Sequence, residues 1–406
     1  MDAQSLFAER IGGRAFGTST EIYKFEKIKR AKAAVRQARP DVELLDFGVG
    51  EPDGMAPRSV RQAMKKAVDD PQNRGYADNG IAEYKASAAA YMRGSFGVDL
   101  NPAEEINHSI GSKPALAAIP LCFINPGDVA LVTAPGYPVL ATHVRYLGGE
   151  AVRLPLLPSN GYLPDLDAID AQTLKRAKLI NVNYPNNPTG AAATPEFFDR
   201  LIAFARERNL LIVHDAAYAT LVYDRAPLSI LSRPGGKETA LELHSMSKCC
   251  NMTGWRLGFV AGGARLVQAF ATVKDNIDSG QFKAIQKAAC AGLADQASIE
   301  RIRRHYEKRL RKMVRVLRRV GFDARMPGGT FFLYVPAPKA AGSRAFASAE
   351  EVSQYLILEH AVSTVPWDDA GAFLRFSSTF ESNGPSDDGR AIEELGRRLA
   401  SADFRF

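Results

Sequence analysis

Residues 240–261 read ALELHSMSKCCNMTGWRLGFVA. Two apolar runs, Ala240 to His244 and Leu257 to Ala261, have the length of buried strands, and they bracket a polar segment that carries Lys248. A lysine amine becomes nucleophilic toward carbonyls when its surroundings favour the neutral form, and a second cation nearby helps. Taken by itself Lys248 reads as a surface lysine. The hydroxyls of Ser245 and Ser247 and the guanidinium of Arg256, eight positions on, point instead to a phosphate dianion held by hydrogen bonds and a bidentate clamp.

Working outward, strand-like runs alternate with helical stretches from about residue 110 to 295, the pattern of a parallel sheet with crossover helices. The other candidate strands are Val129 to Thr133, Lys178 to Asn183 and Leu210 to His214. A helix is expected over Pro195 to Arg208, with Thr194 as N-cap and Pro195 in the first helical position. Beyond residue 295 the texture changes. A long basic helix comes first, then shorter strands at Thr330 to Val335, Ala361 to Val365 and Phe373 to Phe376, and helices at Ser348 to Glu359 and Ser386 to Leu399. The expected fold is α/β: a large domain over 48–295 with a mostly parallel central sheet flanked by helices, and a smaller α+β domain over 296–406. Residues 1–47 supply an N-terminal arm and part of the small domain.

The chain has 406 residues and a net charge of +7. The basic excess is concentrated between Glu300 and Val320, where ten Lys or Arg face two Glu while Ile302, Tyr306, Leu310, Met313, Val314 and Leu317 recur at helical spacing. That is the pattern of an amphipathic helix with a solvated face, and it is preferred over a nucleic-acid surface. Cys122, Cys249, Cys250 and Cys290 show no Cys-x-x-Cys spacing and read as free thiols. Neither they nor the six histidines supply ligands at metal spacing, so no metal is expected. Charged residues interrupt the first twenty positions, and no apolar stretch approaches about 20 residues, so neither a signal peptide nor a membrane span is expected and the cytoplasm is the default location.

Asp215 follows the Leu210 to His214 run and so belongs at the carboxyl end of a parallel strand, where ligands bind in this architecture. A single Asp there is often a helix cap. If Lys248 holds a pyridoxal ring as an imine, a carboxylate must pair with the ring nitrogen, and Asp215 is the best candidate. Its neighbour His214 reads as a packed strand histidine. Tyr184 to Gly190, YPNNPTG, ends another strand and is turn chemistry when taken alone. Gly111, Ser112 and Lys113 precede the helical run Pro114 to Phe123, so their amides can meet a phosphate at a helix N-terminus.

The order of these pieces, Asn-Pro-Thr-Gly, then Asp215 with Tyr218, then Ser-x-Ser-Lys with Arg256, then Arg375 in LRFS, resembles the fold-type I pyridoxal-phosphate aminotransferases of class I and II over nearly the whole chain. The resemblance implies pyridoxal 5'-phosphate bound to Lys248, with its phosphate on Ser112, Lys113, Ser245, Ser247 and Arg256. It implies that Asn187 and Tyr218 hydrogen-bond the phenolic oxygen, that Tyr137 stacks on the ring, and that Arg375 clamps the substrate α-carboxylate beside the Gly50 backbone, with Asn187 also touching substrate. A homodimer with shared active sites is implied too, Tyr76 reaching the phosphate from the partner subunit. The segments 245–259 and 274–286, with Lys113 and Tyr23, are most similar to the LL-diaminopimelate aminotransferases, in which Lys113 and Tyr23 would approach the substrate. One position departs: plant-type members carry an acidic residue three after the Tyr76 equivalent, and here it is Asn79, so recognition of the distal ammonium would pass to Asp78. Transamination of alanine, aspartate or another amino acid with 2-oxoglutarate is the alternative. A non-catalytic regulator of this fold is disfavoured, because residues 1–45 leave no room for a helix-turn-helix module.

Overall fold

The computed structural model of the chain describes residues 2–18 and 24–406. Its centre is a seven-stranded sheet in the spatial order Ile106–Ser109, Gly258–Gly262, Ala240–Ser245, Leu211–Asp215, Ala177–Asn183, Val129–Ala134, Glu150–Pro155. Strands such as Leu211–Asp215 and Ala240–Ser245 are buried along their whole length, as expected of a sheet covered on both faces. The helix Pro195–Glu207 starts on a Thr194 side chain that accepts the Phe197 amide at 3.2 Å, with Pro195 in the first turn.

Six strands run one way and Gly258–Gly262 runs against both of its neighbours. The expectation of a mostly parallel sheet therefore holds, while the Leu257 to Ala261 run is the exception within it. The physical reason lies in the connection. The segment 246–257 forms a one-turn helix and a short 3-10 turn around Lys248 and folds straight back, too compact for a crossover onto the far side. Two strands of this sheet escaped the pattern reading. Ile106–Ser109 is half polar, and the edge strand Glu150–Pro155 is largely exposed, so neither gives a continuous apolar run.

A second core forms where Leu45 and Phe47 meet Leu310, Leu317, Leu374 and Leu395. It covers a three-stranded antiparallel sheet ordered Val365–Trp367, Phe373–Ser377, Phe332–Pro336. The run expected as one strand, Ala361 to Val365, is broken. Val362–Ser363 pairs in parallel with Leu45–Asp46, and after Thr364 the chain joins Phe373–Ser377 instead. The Leu45–Asp46 pairing brings the segment 47–51 across to the large sheet. The basic helix Gln296–Arg319 packs on Pro385–Ala400, and its charge is partly answered locally, Arg303 by Glu300 and Glu307, Arg304 by Glu300, Arg311 by Glu307. The buried Arg309 bridges Asp53 at 3.1 Å and Asp388 at 2.7 Å. Among the described residues no helix is long and apolar enough to cross a membrane.

Candidate active site

The carboxyl ends of the parallel strands open into a cavity of about 690 Å³. Ser245 ends its strand and caps the turn Met246–Cys249 by accepting the Ser247 amide at 3.2 Å, which projects Lys248 into the cavity. Lys248 Nζ donates to the Gly50 carbonyl at 2.9 Å. Burial lowers the Lys248 amine from its ordinary 10.5 to about 8; Arg256 and Arg375 push the same way, against Glu51 and Asp215. Near neutral pH a useful fraction is therefore the neutral nucleophile.

Asp215 lies at the end of its strand with 7% exposure, and burial raises its carboxyl to about 6, with the Ala217 amide and the charges of His214, His244 and Lys248 opposing. A carboxyl held this way gains from a cationic partner inside the cavity. His214 points away into the sheet, bonded to Glu242 Oε2 and to the Tyr184 carbonyl, both at 2.9 Å, as a packed strand histidine should be. Beside it the Tyr184 to Gly190 turn is tied back through Asn183, whose Oδ1 accepts the Asn187 amide at 2.8 Å and whose Nδ2 donates to the Asp215 carbonyl at 2.7 Å. Tyr218 packs edge-on against Phe331 and Phe332, and burial raises its phenol above the ordinary value.

At one end of the cavity, Ser112 and Lys113 form the first turn of the helix Ser112–Phe123. Gly111 before it has φ +82° and ψ 168°, a region essentially reserved for glycine, and a Cβ there would lie 2.6 Å from Arg256 Nη2. Glycine thus lets the guanidinium close on the helix N-terminus. Arg256 also donates to the Thr253 carbonyl at 2.8 Å and to Ser247 Oγ at 3.4 Å.

Arg375 lies on the small sheet and is 4% exposed. It donates to Asn187 Oδ1 at 2.8 Å and to the Gly48 carbonyl at 3.0 Å, and its Cζ lies 4.0 Å from the Phe332 ring centroid. No carboxylate among the described residues pairs with it, its Nε has no partner, and burial lowers it to about 10. A buried guanidinium of this kind is costly unless an anion completes it.

The cavity thus gathers Gly50, Ser112, Lys113, Tyr137, Asn187, Asp215, Tyr218, Ser245, Ser247, Lys248, Arg256 and Arg375. Tyr76 does not join them and is 83% exposed on the surface. Tyr23 lies outside the described residues. Asn79 Nδ2 donates to Asp275 at 2.6 Å and its Oδ1 accepts from Asn107 at 2.7 Å. Sequence reading passed over Lys24, Glu51, Asn183, Trp367 and Asp369, which also line the cavity. Glu51 sits inside the GVGEP motif and Trp367 is one of two tryptophans, next to paired acids, so a weak signal was present for both. Among the described residues no cluster of His, Cys, Asp or Glu could hold a metal.

This donor set fits pyridoxal phosphate: an amine of lowered basicity, a buried carboxyl wanting a cation, and a serine-arginine cradle at a helix N-terminus that a side chain at 111 would block.

Residues 42–381 match the family described as aminotransferase class I and II. The chain is 53% identical to the LL-diaminopimelate aminotransferase of Methanocaldococcus jannaschii and 52% identical to that of Methanococcus maripaludis, each over 99% of both chains. Among solved structures, substrate-bound BacF from Bacillus subtilis superposes with a TM-score of 0.88 at 30% identity, covering 98% of both chains. An aspartate aminotransferase mutant from Thermus thermophilus gives 0.84 at 26%, covering 97% of this chain and 99% of that one. On this footing the chain belongs to the class I and II aminotransferases, the pyridoxal-phosphate-dependent transaminases of fold type I.

Proposed function

We propose that the protein is an LL-diaminopimelate aminotransferase, passing an amino group between glutamate and tetrahydrodipicolinate in the synthesis of lysine and cell-wall precursors. The observation that carries this reading is the 53% identity, over 99% of both chains, to a relative of that name.

Bound pyridoxal phosphate supplies an electrophilic carbonyl and an electron-withdrawing ring. Lys248 would hold the cofactor, and its Nζ, when free, would move the proton at the substrate α-carbon. Asp215 pairs with the ring nitrogen and keeps it protonated. Ser112, Lys113, Ser245, Ser247 and Arg256 hold the phosphate, with Tyr76 of the partner subunit completing it in a homodimer. Asn187 and Tyr218 bond the phenolic oxygen and Tyr137 stacks on the ring. Arg375 binds the α-carboxylate beside Gly50, and Lys113, Asn187 and Tyr23 face the rest of the substrate. Residues 48–295 act as the cofactor-binding domain, with 1–47 and 296–406 as the arm and small domain that close over it, and a biosynthetic role of this kind goes with the cytoplasm.

The test mixes the cofactor-loaded protein with LL-diaminopimelate and 2-oxoglutarate and follows glutamate, with meso-diaminopimelate, aspartate and alanine as parallel donors. Preference for the LL isomer supports the reading. Activity on the common amino acids alone would keep the transaminase and discard the substrate.

A further inference from the structure

Two charged side chains on the outer wall of the cavity have no role in the scheme above. Lys24 opens the helix Lys24–Ala38, with its Nζ 3.5 Å from the Trp367 ring centroid and donating to the Pro366 carbonyl at 3.3 Å. Asp369 follows two residues after Trp367, its side chain 28% exposed. Its nearest cationic partner, the largely exposed Arg153, stands 3.6 Å away, beyond hydrogen-bond length. Lys24 and Asp369 make no ion pair with each other among the described residues, yet Asp369 is the strongest of the charges acting on the Lys24 amine, opposing the burial that lowers it. The two are therefore near neighbours that have not closed on one another.

Their place relative to the substrate follows from register. Val365 pairs with Arg375 and Trp367 with Phe373, so Trp367 ends the strand next to the one that carries the buried guanidinium, and Asp369 lies in the turn just beyond it. All three side chains line the same cavity as Lys248. A cationic and an anionic group lying apart on one wall match a ligand that brings both charges on one carbon. The loop of Asn79 offers less, since both ends of that amide are already bonded within the chain.

We propose that Lys24 and Asp369 form the subsite for the far end of the substrate, Asp369 receiving a side-chain ammonium and Lys24 a side-chain carboxylate, so that the cavity selects amino acids ending in a second zwitterionic group. This rests on the reading of the protein as an aminotransferase of a diamino diacid, and it assigns that recognition to this chain's own first long helix and the turn that follows Trp367.

The test measures kcat/KM of the cofactor-loaded protein for LL-diaminopimelate, for L-2-aminopimelate, which lacks the distal ammonium, and for L-lysine, which lacks the distal carboxylate. In Asp369→Asn the ratio of LL-diaminopimelate to 2-aminopimelate falls about tenfold or more, and in Lys24→Met the ratio of LL-diaminopimelate to lysine falls likewise, as expected for loss of a charge-assisted hydrogen bond. Equal losses on both members of a pair, or no loss, would overturn the assignment. A parent protein that transfers no amino group from LL-diaminopimelate would instead sink the substrate reading, and this subsite with it, so the two failures are told apart by the parent protein alone.

Discussion

Lys248, Asp215 and Ser245 stand at the carboxyl ends of one seven-stranded sheet, whereas Arg375 and Trp367 come from a three-stranded sheet, Asp369 from the turn between two of its strands and Lys24 from the first long helix. The inner group is held by backbone register: Asp215 ends its strand opposite Leu243, and Ser245 caps the very turn that presents the lysine. The outer group is assembled from segments more than three hundred residues apart and meets through side chains, as in the Lys24 contact with Trp367. The difference separates two tasks. Chemistry common to a family needs fixed geometry, and selection among substrates is set by a few exchangeable contacts on the same scaffold. Variants can break the inner group or sharpen the outer one.

The largest effect is expected at the lysine. Lys248→Ala removes the group proposed as both cofactor anchor and proton carrier, and transfer should fall roughly 10³-fold or more, at the upper part of the range for a general acid-base group. Glutamate formation under saturating donor reads this directly, and turnover within tenfold of the parent would refute the role. In the cofactor-free parent, capture of added pyridoxal phosphate should accelerate as pH rises through about 8, where the amine loses its proton, instead of through 10.5.

Asp215 comes next and carries a trade between function and stability. Asp215→Ala or Asn should nearly abolish transfer. The carboxyl sits at about 6 in the fold against an ordinary 3.8, so the fold favours its protonated form. Its contribution to stability is complete below about pH 4 and is lost as pH rises through 6, a cost of about 3 kcal/mol at pH 7 in cofactor-free protein. Asp215→Asn should therefore make the cofactor-free chain more stable than the parent above pH 6, with the two converging near pH 4. Denaturant titrations across that range decide it, and a less stable Asn variant at pH 7 would contradict the burial account.

Gly111→Ala tests the phosphate end more gently. The substitution forces a side chain into a backbone region that costs about 1–3 kcal/mol and against Arg256 Nη2. Affinity for pyridoxal phosphate should drop by about tenfold, seen as release on dilution, while the isolated fold survives. Unchanged affinity would mean that Arg256 does not close on this helix.

The same division explains what the sequence makes legible. The inner residues fall beside strand ends, so Asp215, the Asn187 turn and Lys248 can be located from apolar runs and the short motifs that follow them. The reversed direction of Gly258–Gly262 could not, because the apolar run is the same whichever way a strand points, and only the length of the returning connection distinguishes the cases. Lys24 and Asp369 carry no local pattern at all; a lysine at a helix start and an acid in a hairpin are ordinary surface choices until the small sheet folds them into the cavity. Arg375 is legible through its LRFS setting and Asn187 through its turn, but the hydrogen bond between them, across 188 positions, follows only from the fold.

Asn79→Asp should give the smallest effect and the sharpest comparison of the two candidate sources of the distal charge. The Asn79 amide donates to Asp275 and accepts from Asn107, and its carbonyl accepts the His108 amide at 3.3 Å, so the residue is a knot between the Tyr76 loop and the 274–286 segment. An aspartate keeps the bond from Asn107 but sets a second carboxylate against Asp275. Because Asp275 is exposed, solvent screens the repulsion, and the cost should be about 1 kcal/mol, lowering the melting temperature by about 1–2 °C. If Asp369 reads the far ammonium, the new charge adds nothing to recognition, and the LL-diaminopimelate to 2-aminopimelate ratio should stay within about twofold of the parent. A tenfold rise in that ratio would move recognition to the Tyr76 loop and leave Asp369 a wall residue, because a charge that improves selectivity there must lie within reach of the same ammonium.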